Sequence, residues 1–229
     1  MTRLFYIRAF AYLALPLLLA GLATAVDRRA RTREHRLELF LIFMFAFGAA
    51  SGIAGALGHL FASDLVAESI GWPPGSPFQL EMGFANLAGG VLAAIAVSRR
   101  DGFREATVLS GAIVSVGAFT VHMIDIIQHG NLSPGNTLIN ITNLGRPAIL
   151  IFLLWAQRRA GRSLDSESNS DAFSQWRSPW AALGGTLGAG VGMGLGIGMA
   201  VERPLLGLTV GLVGSIVLSL VQGNRPYAT

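Results

Sequence analysis

Apolar residues along this chain come in long blocks broken by short polar ones. Seven blocks approach or exceed the roughly 20 residues that an α-helix needs to cross a bilayer: 5–26, 37–62, 77–98, 105–129, 137–157, 179–201 and 204–222. The pattern predicts an all-α polytopic transmembrane bundle of about seven spans. Residues 1–159 form a five-span front half, 160–178 (GRSLDSESNSDAFSQWRSP) a polar cytoplasmic linker, and 179–229 a glycine-rich two-helix hairpin. The segments between blocks alternate in charge. DRRARTREHR (27–36) holds five Arg and SRRDGFRE (98–105) three, with another cluster at Arg158, Arg159 and Arg162, whereas 63–76 and 130–136 have no basic residue. By the positive-inside rule the Arg-rich segments are cytoplasmic, the N-terminus lies outside and the C-terminus inside. This orientation places the protein in the cell (inner) membrane. The first block also reads as a cleavable signal peptide, because Arg3 and Arg8 precede an apolar run ending in Ala23-Thr24-Ala25. Spans two to five keep the same orientation either way.

Within the spans, polar and small residues fall on faces when positions are set at 100° intervals. Gly48, Gly52, Gly55 and His59 share a narrow arc of the second span, which suits close approach by a neighbouring helix and turns His59 inward. Gln79, Gly83, Asn86 and Gly90 make a matching stripe in the third. Glu81 lies roughly opposite Gln79, toward another helix or the headgroups. Gly111, Ser115, His122, Asp125 and His129 line up in the fourth. Asn136, Asn140 and Asn143 form a ladder in the fifth, with Pro147 on the same side. Pro147 cannot donate to the carbonyl of Asn143 and so frees an acceptor there.

GWPPGSPFQLE (71–81) interrupts the pattern with three prolines. Ser76 suits a helix N-cap, Pro77 the first helical position and Gln79 the third residue of a capping box. Trp72 with Pro73 and Pro74 reads as a rigid collar at headgroup depth.

Composition agrees with lipid as the main solvent: 13% charged and 52% apolar residues, where a soluble domain carries about a quarter charged. All 17 basic residues are Arg, a usage that suits a GC-rich bacterial genome. The isoelectric point near 10.6 comes from Arg clusters spaced by membrane topology, which argues against a nucleic-acid partner. Without cysteine there is no disulfide, thiolate nucleophile or sulfur-ligated metal.

The costly residue is Arg146, near the middle of the fifth span. An intramembrane arginine is by default a functional-site candidate with a partner to be found, and Asp125 or Glu81 is the expected acid. The candidate binding set is Asp125, Arg146, His122, Asn140, Asn143, Glu81, Asn86 and Gln79. Most of these sit toward the outer halves of their spans. His59, His122, Asp125 and His129 are the candidate metal ligands. No HExxH motif occurs, however, and His122 to His129 covers two helical turns, about 10 Å, too far for both to reach one ion without a bend. Three functions follow. The first is an outward-facing intramembrane site that binds or passes a cation, proton or small polar solute; the second is a membrane-embedded metal- or haem-dependent enzyme; the third is an assembly subunit of a membrane complex. The cofactor is left open, and the chemistry favours the first.

GWPPGSPFQLEMGFANLAGG and HGNLSPGNTLINITNLGRP resemble a family of small bacterial and archaeal multi-pass membrane proteins catalogued as a domain of unknown function. The likeness covers about residues 40–157. It implies a helical membrane protein with an outer-facing motif pair, and no particular activity. The terminal hairpin lies outside it. There, Gly184, Gly188, Gly192 and Gly196 recur every four residues, with Gly190, Gly194 and Gly198 on a second row, and the next span repeats the theme with Gly207, Gly211, Ser215 and Ser219. Such rows suit a glycine zipper, within the hairpin or between the subunits of a homo-oligomer.

Overall fold

The computed structural model describes residues 6–7, 10–27 and 32–162, with positions 187, 188, 190, 191, 194, 208, 211, 212 and 215. The described residues are helical throughout, joined by short turns. A π-helical stretch, Phe10–Ala14, runs into α1 (Leu15–Val26). Then come α2 (Arg33–Phe61), α3 (Ser63–Ile70), α4 (Phe78–Ser98), α5 (Gly102–His129), the single turn α6 (Pro134–Thr137) and α7 (Ile139–Arg162).

Four stretches are long and apolar enough to cross a membrane: α2, α4, α5 and α6–α7 taken together as Pro134–Ala160. Spans two to five of the sequence reading correspond to these four. The first is a shorter apolar helix, Phe10–Val26, and the count of seven is not reached among the described residues. The linker 163–178 and most of the hairpin lie outside them.

α2 is the central helix. Of its most apolar stretch 72% is buried, against 11% for α5, which therefore turns most of its surface outward. One side of α2 packs Leu39, Phe43 and Phe47 on Tyr12, Ala20 and Ala23, with Leu187 and Val191 in the same cluster. The other side packs Leu41, Met44, Phe45 and Ala49 on Ala93 and Ala96 of α4, Val108 of α5 and Leu150, Leu153 and Leu154 of α7. In lipid such contact gains little from the hydrophobic effect, so fit between surfaces decides which helices pair.

The α2–α4 seam shows that fit, and it joins the two small-residue stripes expected from the sequence. A Cβ on Gly52 would stand 2.7 Å from the Cα of Gly90 and 2.9 Å from the carbonyl of Asn86, so the backbones touch where both residues lack a side chain. A Cβ on Gly83 would meet Leu60 at 2.7 Å. Among the described hairpin positions, Gly190 packs on Gly211 and Ser215, and a Cβ on Gly188 would meet the α2 backbone at Ala46. The glycines described there pack inside the chain.

At the Arg-rich end the helices are tied by charge. Arg104 and Glu38 are 2% and 1% exposed and meet through two hydrogen bonds, Nη1 to Oε2 at 2.7 Å and Nη2 to Oε1 at 2.9 Å. Arg104 also donates to the carbonyls of Ala96 and Val97 at the end of α4. Gln157 of α7 donates to Glu38 at 2.7 Å, and Arg100 lies 3.1 Å from its other oxygen. One carboxylate thus gathers α2, α5, α7 and the α4–α5 turn. Partial burial lowers the pKa of Arg100, while the charge of Glu38 opposes that shift.

Candidate functional site

The opposite end is built on a network of hydrogen bonds around one carboxylate. α3 ends in a Schellman cap, Trp72 N donating to the carbonyl of Ala67 and Gly71 N to that of Glu68. Gly71 takes φ 82°, and a Cβ there would also stand 2.7 Å from Oδ1 of Asn131, so only glycine fits. This cap, rather than a free collar at the membrane surface, sets Trp72. Its Nε1 donates to Oδ2 of Asp125 at 2.8 Å, and its ring stacks on His122 with centroids 5.5 Å apart and planes 19° apart.

Asp125 sits four residues before the end of α5. Besides Trp72 it receives Nδ2 of Asn131 at 2.6 Å and pairs with Nδ1 of His129 at 2.9 Å. Both of its oxygens are therefore engaged. Asn131 also donates to the carbonyl of Ile70 at 2.9 Å. His122 shares a 2.7 Å hydrogen bond with Oδ1 of Asn136, whose Nδ2 donates to the carbonyl of Asn131. The asparagine ladder then continues down α7. Asn140 donates to the carbonyl of Asn136 at 3.1 Å, and Asn143 to Oδ1 of Asn140 at 3.4 Å. One turn further on, Arg146 donates through Nη1 to Oγ of Ser51 on α2.

Gln79 and His59 form a second pair, 2.7 Å apart across the α2–α4 seam. Gln79 is 1% exposed and spends its side chain on His59, so the expected capping box does not form. Ser76 still helps to cap α4, its hydroxyl accepting from Phe78 N at 3.3 Å. Beside Trp72 and Gln79 the surface forms an open groove of about 460 Å³, lined also by Pro74, Phe78 and Val121. Asn86 meets α2 at Gly55, and Glu81 is exposed.

The expected partner of Arg146 is a correction. Neither Asp125 nor Glu81 pairs with it, and among the described residues no carboxylate does. Depth explains why. Asp125 and Glu81 lie within about 6 Å of their helix ends at 1.5 Å per residue, whereas Arg146 is twelve residues into the Pro134–Ala160 stretch, about 18 Å. The candidate metal ligands separate as well: His59 goes to Gln79, His122 to Asn136, and His129 with Asp125 to each other. Among the described residues no three His, Asp or Glu side chains gather closely enough to hold a metal ion.

Sequence reasoning missed Asn131, Ser51 and the bond from Trp72 to Asp125. Asn131 carried a signal, since a side-chain amide beside the glycine that ends a helix often organises the following turn. Ser51 carried none beyond its place next to Gly52.

The chain belongs to DUF6790, a family of unknown function. The family model matches residues 8–163, a longer stretch than the two motifs suggest, taking in α1 and ending before the hairpin. No curated protein and no solved structure matches the chain.

Proposed function

We propose that this DUF6790 member is an integral membrane protein whose outer half holds an intramembrane site for a small polar solute. The observation behind this reading is the polar track that runs from Trp72 and Asp125 through Asn131, Asn136, Asn140 and Asn143 toward Arg146 at mid-depth. Polar groups on a membrane helix are expensive unless they meet one another or water. At the start of the track Trp72 also lines the open groove. The positive-inside rule turns this end to the outside, because the Arg-rich turns are at the other.

The same geometry chooses among the solute classes. A cation needs free carboxylate oxygens, and both oxygens of Asp125 already accept hydrogen bonds. A proton path needs titratable groups in sequence, and carboxamides do not titrate. A neutral or anionic polar solute suits amide and guanidinium donors.

The absence of cysteine makes the test direct. Single substitutions Asn140→Cys and Asn143→Cys are treated in intact cells with a membrane-impermeant maleimide and compared with Ile141→Cys and Leu144→Cys on the exposed apolar face of the same helix. A thiol in hydrocarbon stays protonated and inert, whereas one in a wet track ionises and reacts. Labelling of the two asparagine positions from outside, with the other two silent, supports the site. Silence at all four removes it.

A further inference from the structure

Arg146 has more hydrogen-bonding capacity than the protein uses. Its guanidinium carries five N–H donors, and among the described residues one of them is engaged, with Ser51. At the other end of the bundle Arg104, buried where Arg146 is half-buried, has its donors met by a carboxylate and two carbonyls. A second donor faces the same edge of α2. Ser51 and Gly55 are one turn apart on that helix, 40° from each other at 100° per residue. Arg146 reaches this edge at Ser51 from α7, and the carboxamide of Asn86 reaches it at Gly55 from α4, 3.4 Å from where a Cβ would stand. Among the described residues that carboxamide has no hydrogen-bond partner.

We infer that this edge of α2 is a binding site for a small oxyanion of the carboxylate class. The guanidinium of Arg146 holds it bidentately and the amide of Asn86 supplies a further donor. The inference rests on the solute reading above and names the chemistry of its ligand. Two features support an anion over a neutral solute. A full positive charge sits about 18 Å along its span with a hydroxyl as its protein partner, and a planar guanidinium fork matches a carboxylate. The geometry also favours a free anion over a lipid phosphate, since that depth is well below the headgroups.

The test uses the purified full chain in maltoside micelles, with gluconate, far bulkier than formate or acetate, as the background anion. Formate and acetate are titrated while thermal unfolding is followed, because a ligand of the native state raises the midpoint by mass action. The wild type is expected to show a saturable rise. Arg146→Gln should move half-saturation up by about ten- to a hundredfold, the loss expected for a charge-assisted pair. Should that variant fail to fold, Ser51→Asp decides. It gives Arg146 an internal carboxylate, so the response to formate and acetate should vanish while the midpoint in gluconate stays at or above that of the wild type.

The inference is overturned by any of three results: no saturable response in the wild type, an undiminished response in Arg146→Gln or Ser51→Asp, or a response to added phosphatidylglycerol alone. Outside labelling at Asn140 and Asn143 without an anion response would leave the solute site standing and remove only the anion. No labelling would remove both.

Discussion

The two ends of the bundle treat charge in opposite ways. At the Arg-rich end Glu38 is surrounded by Arg104, Arg100 and Gln157 and is 1% exposed, a closed knot of opposite charges. At the Trp72 end Asp125 is held by an indole, a carboxamide and an imidazole, and the indole borders an open groove. A carboxylate compensated by full charges inside protein locks helices together, and little remains for a ligand to do. One held by hydrogen bonds from an indole, a carboxamide and an imidazole keeps its neighbours adjustable, and among the described residues Arg146 is left without an acid. The first arrangement suits a fixed anchor and the second suits a site.

Breaking the knot should have the largest effect. Glu38→Ala leaves Arg104 buried without its acid and should destabilise the fold by about 3–5 kcal/mol, read from unfolding in micelles. Replacing both partners with apolar residues, Glu38→Leu with Arg104→Met, should recover much of that loss. No recovery would mean that the pair positions α5 and α7 in a way that packing cannot replace.

The seam between the ends should come next. Gly52→Ala drives a methyl group to 2.7 Å from the backbone of Gly90, so the helices must separate, at a cost of about 1–3 kcal/mol. Gly48→Ala is the control four residues away. Its methyl meets the Ala93 side chain at an ordinary 3.8 Å, so the change should be neutral or stabilising, by up to about 1 kcal/mol, through helix propensity. Equal losses at the two positions would show that the seam is looser than its contacts indicate.

At the Trp72 end the effects should be smaller. Trp72→Phe keeps an aromatic ring over His122 and removes the indole donor to Asp125. With Asn131 and His129 still holding the carboxylate, the cost should be about 1.5 kcal/mol, the lower end for a hydrogen bond to a charged group. A double-mutant cycle with Asp125→Ala isolates that bond. A coupling near zero would make Trp72 a collar after all, and the contrast between the ends would fade.

Which of these features the sequence shows depends on whether a local period encodes them. The α2–α4 seam was readable because small and polar residues three or four positions apart mark one helical face on each partner, and mating the two faces needs no further information. The polar ends of α5 and α7 were readable for the same reason. Glu38–Arg104 and Trp72–Asp125 were not, because their partners are 66 and 53 residues apart and nothing local selects one arginine or one acid among several. The partner of Arg146 was misjudged by reasoning from charge without depth, since Asp125 and Glu81 are near helix ends and Arg146 is not. Gln79 was misjudged because a half-buried histidine across the seam competes better for its side chain than an exposed helix end does.

The smallest expected effect belongs to the turn that begins α5 at the Arg-rich end. Asp101 caps this helix, accepting from Phe103 N at 3.1 Å, and also pairs with Arg99. The hydrogen bond from Arg99 holds the Asp101 carboxyl below its ordinary value of 3.8, with help from the backbone of Phe103. A depressed carboxyl pKa contributes stability that is present above the unfolded value and is lost as pH falls through the folded one. The wild type should therefore shed this contribution only in strong acid. Asp101→Asn keeps an acceptor for the cap but cannot titrate, so its midpoint should fall slightly at neutral pH and approach that of the wild type below the folded pKa. Both groups are exposed, and solvent and salt screen the pair, so the gap between the two curves should be narrow and should shrink further in high salt. A gap as large as that of Glu38→Ala would show that the surface of this end is as tightly locked as its interior.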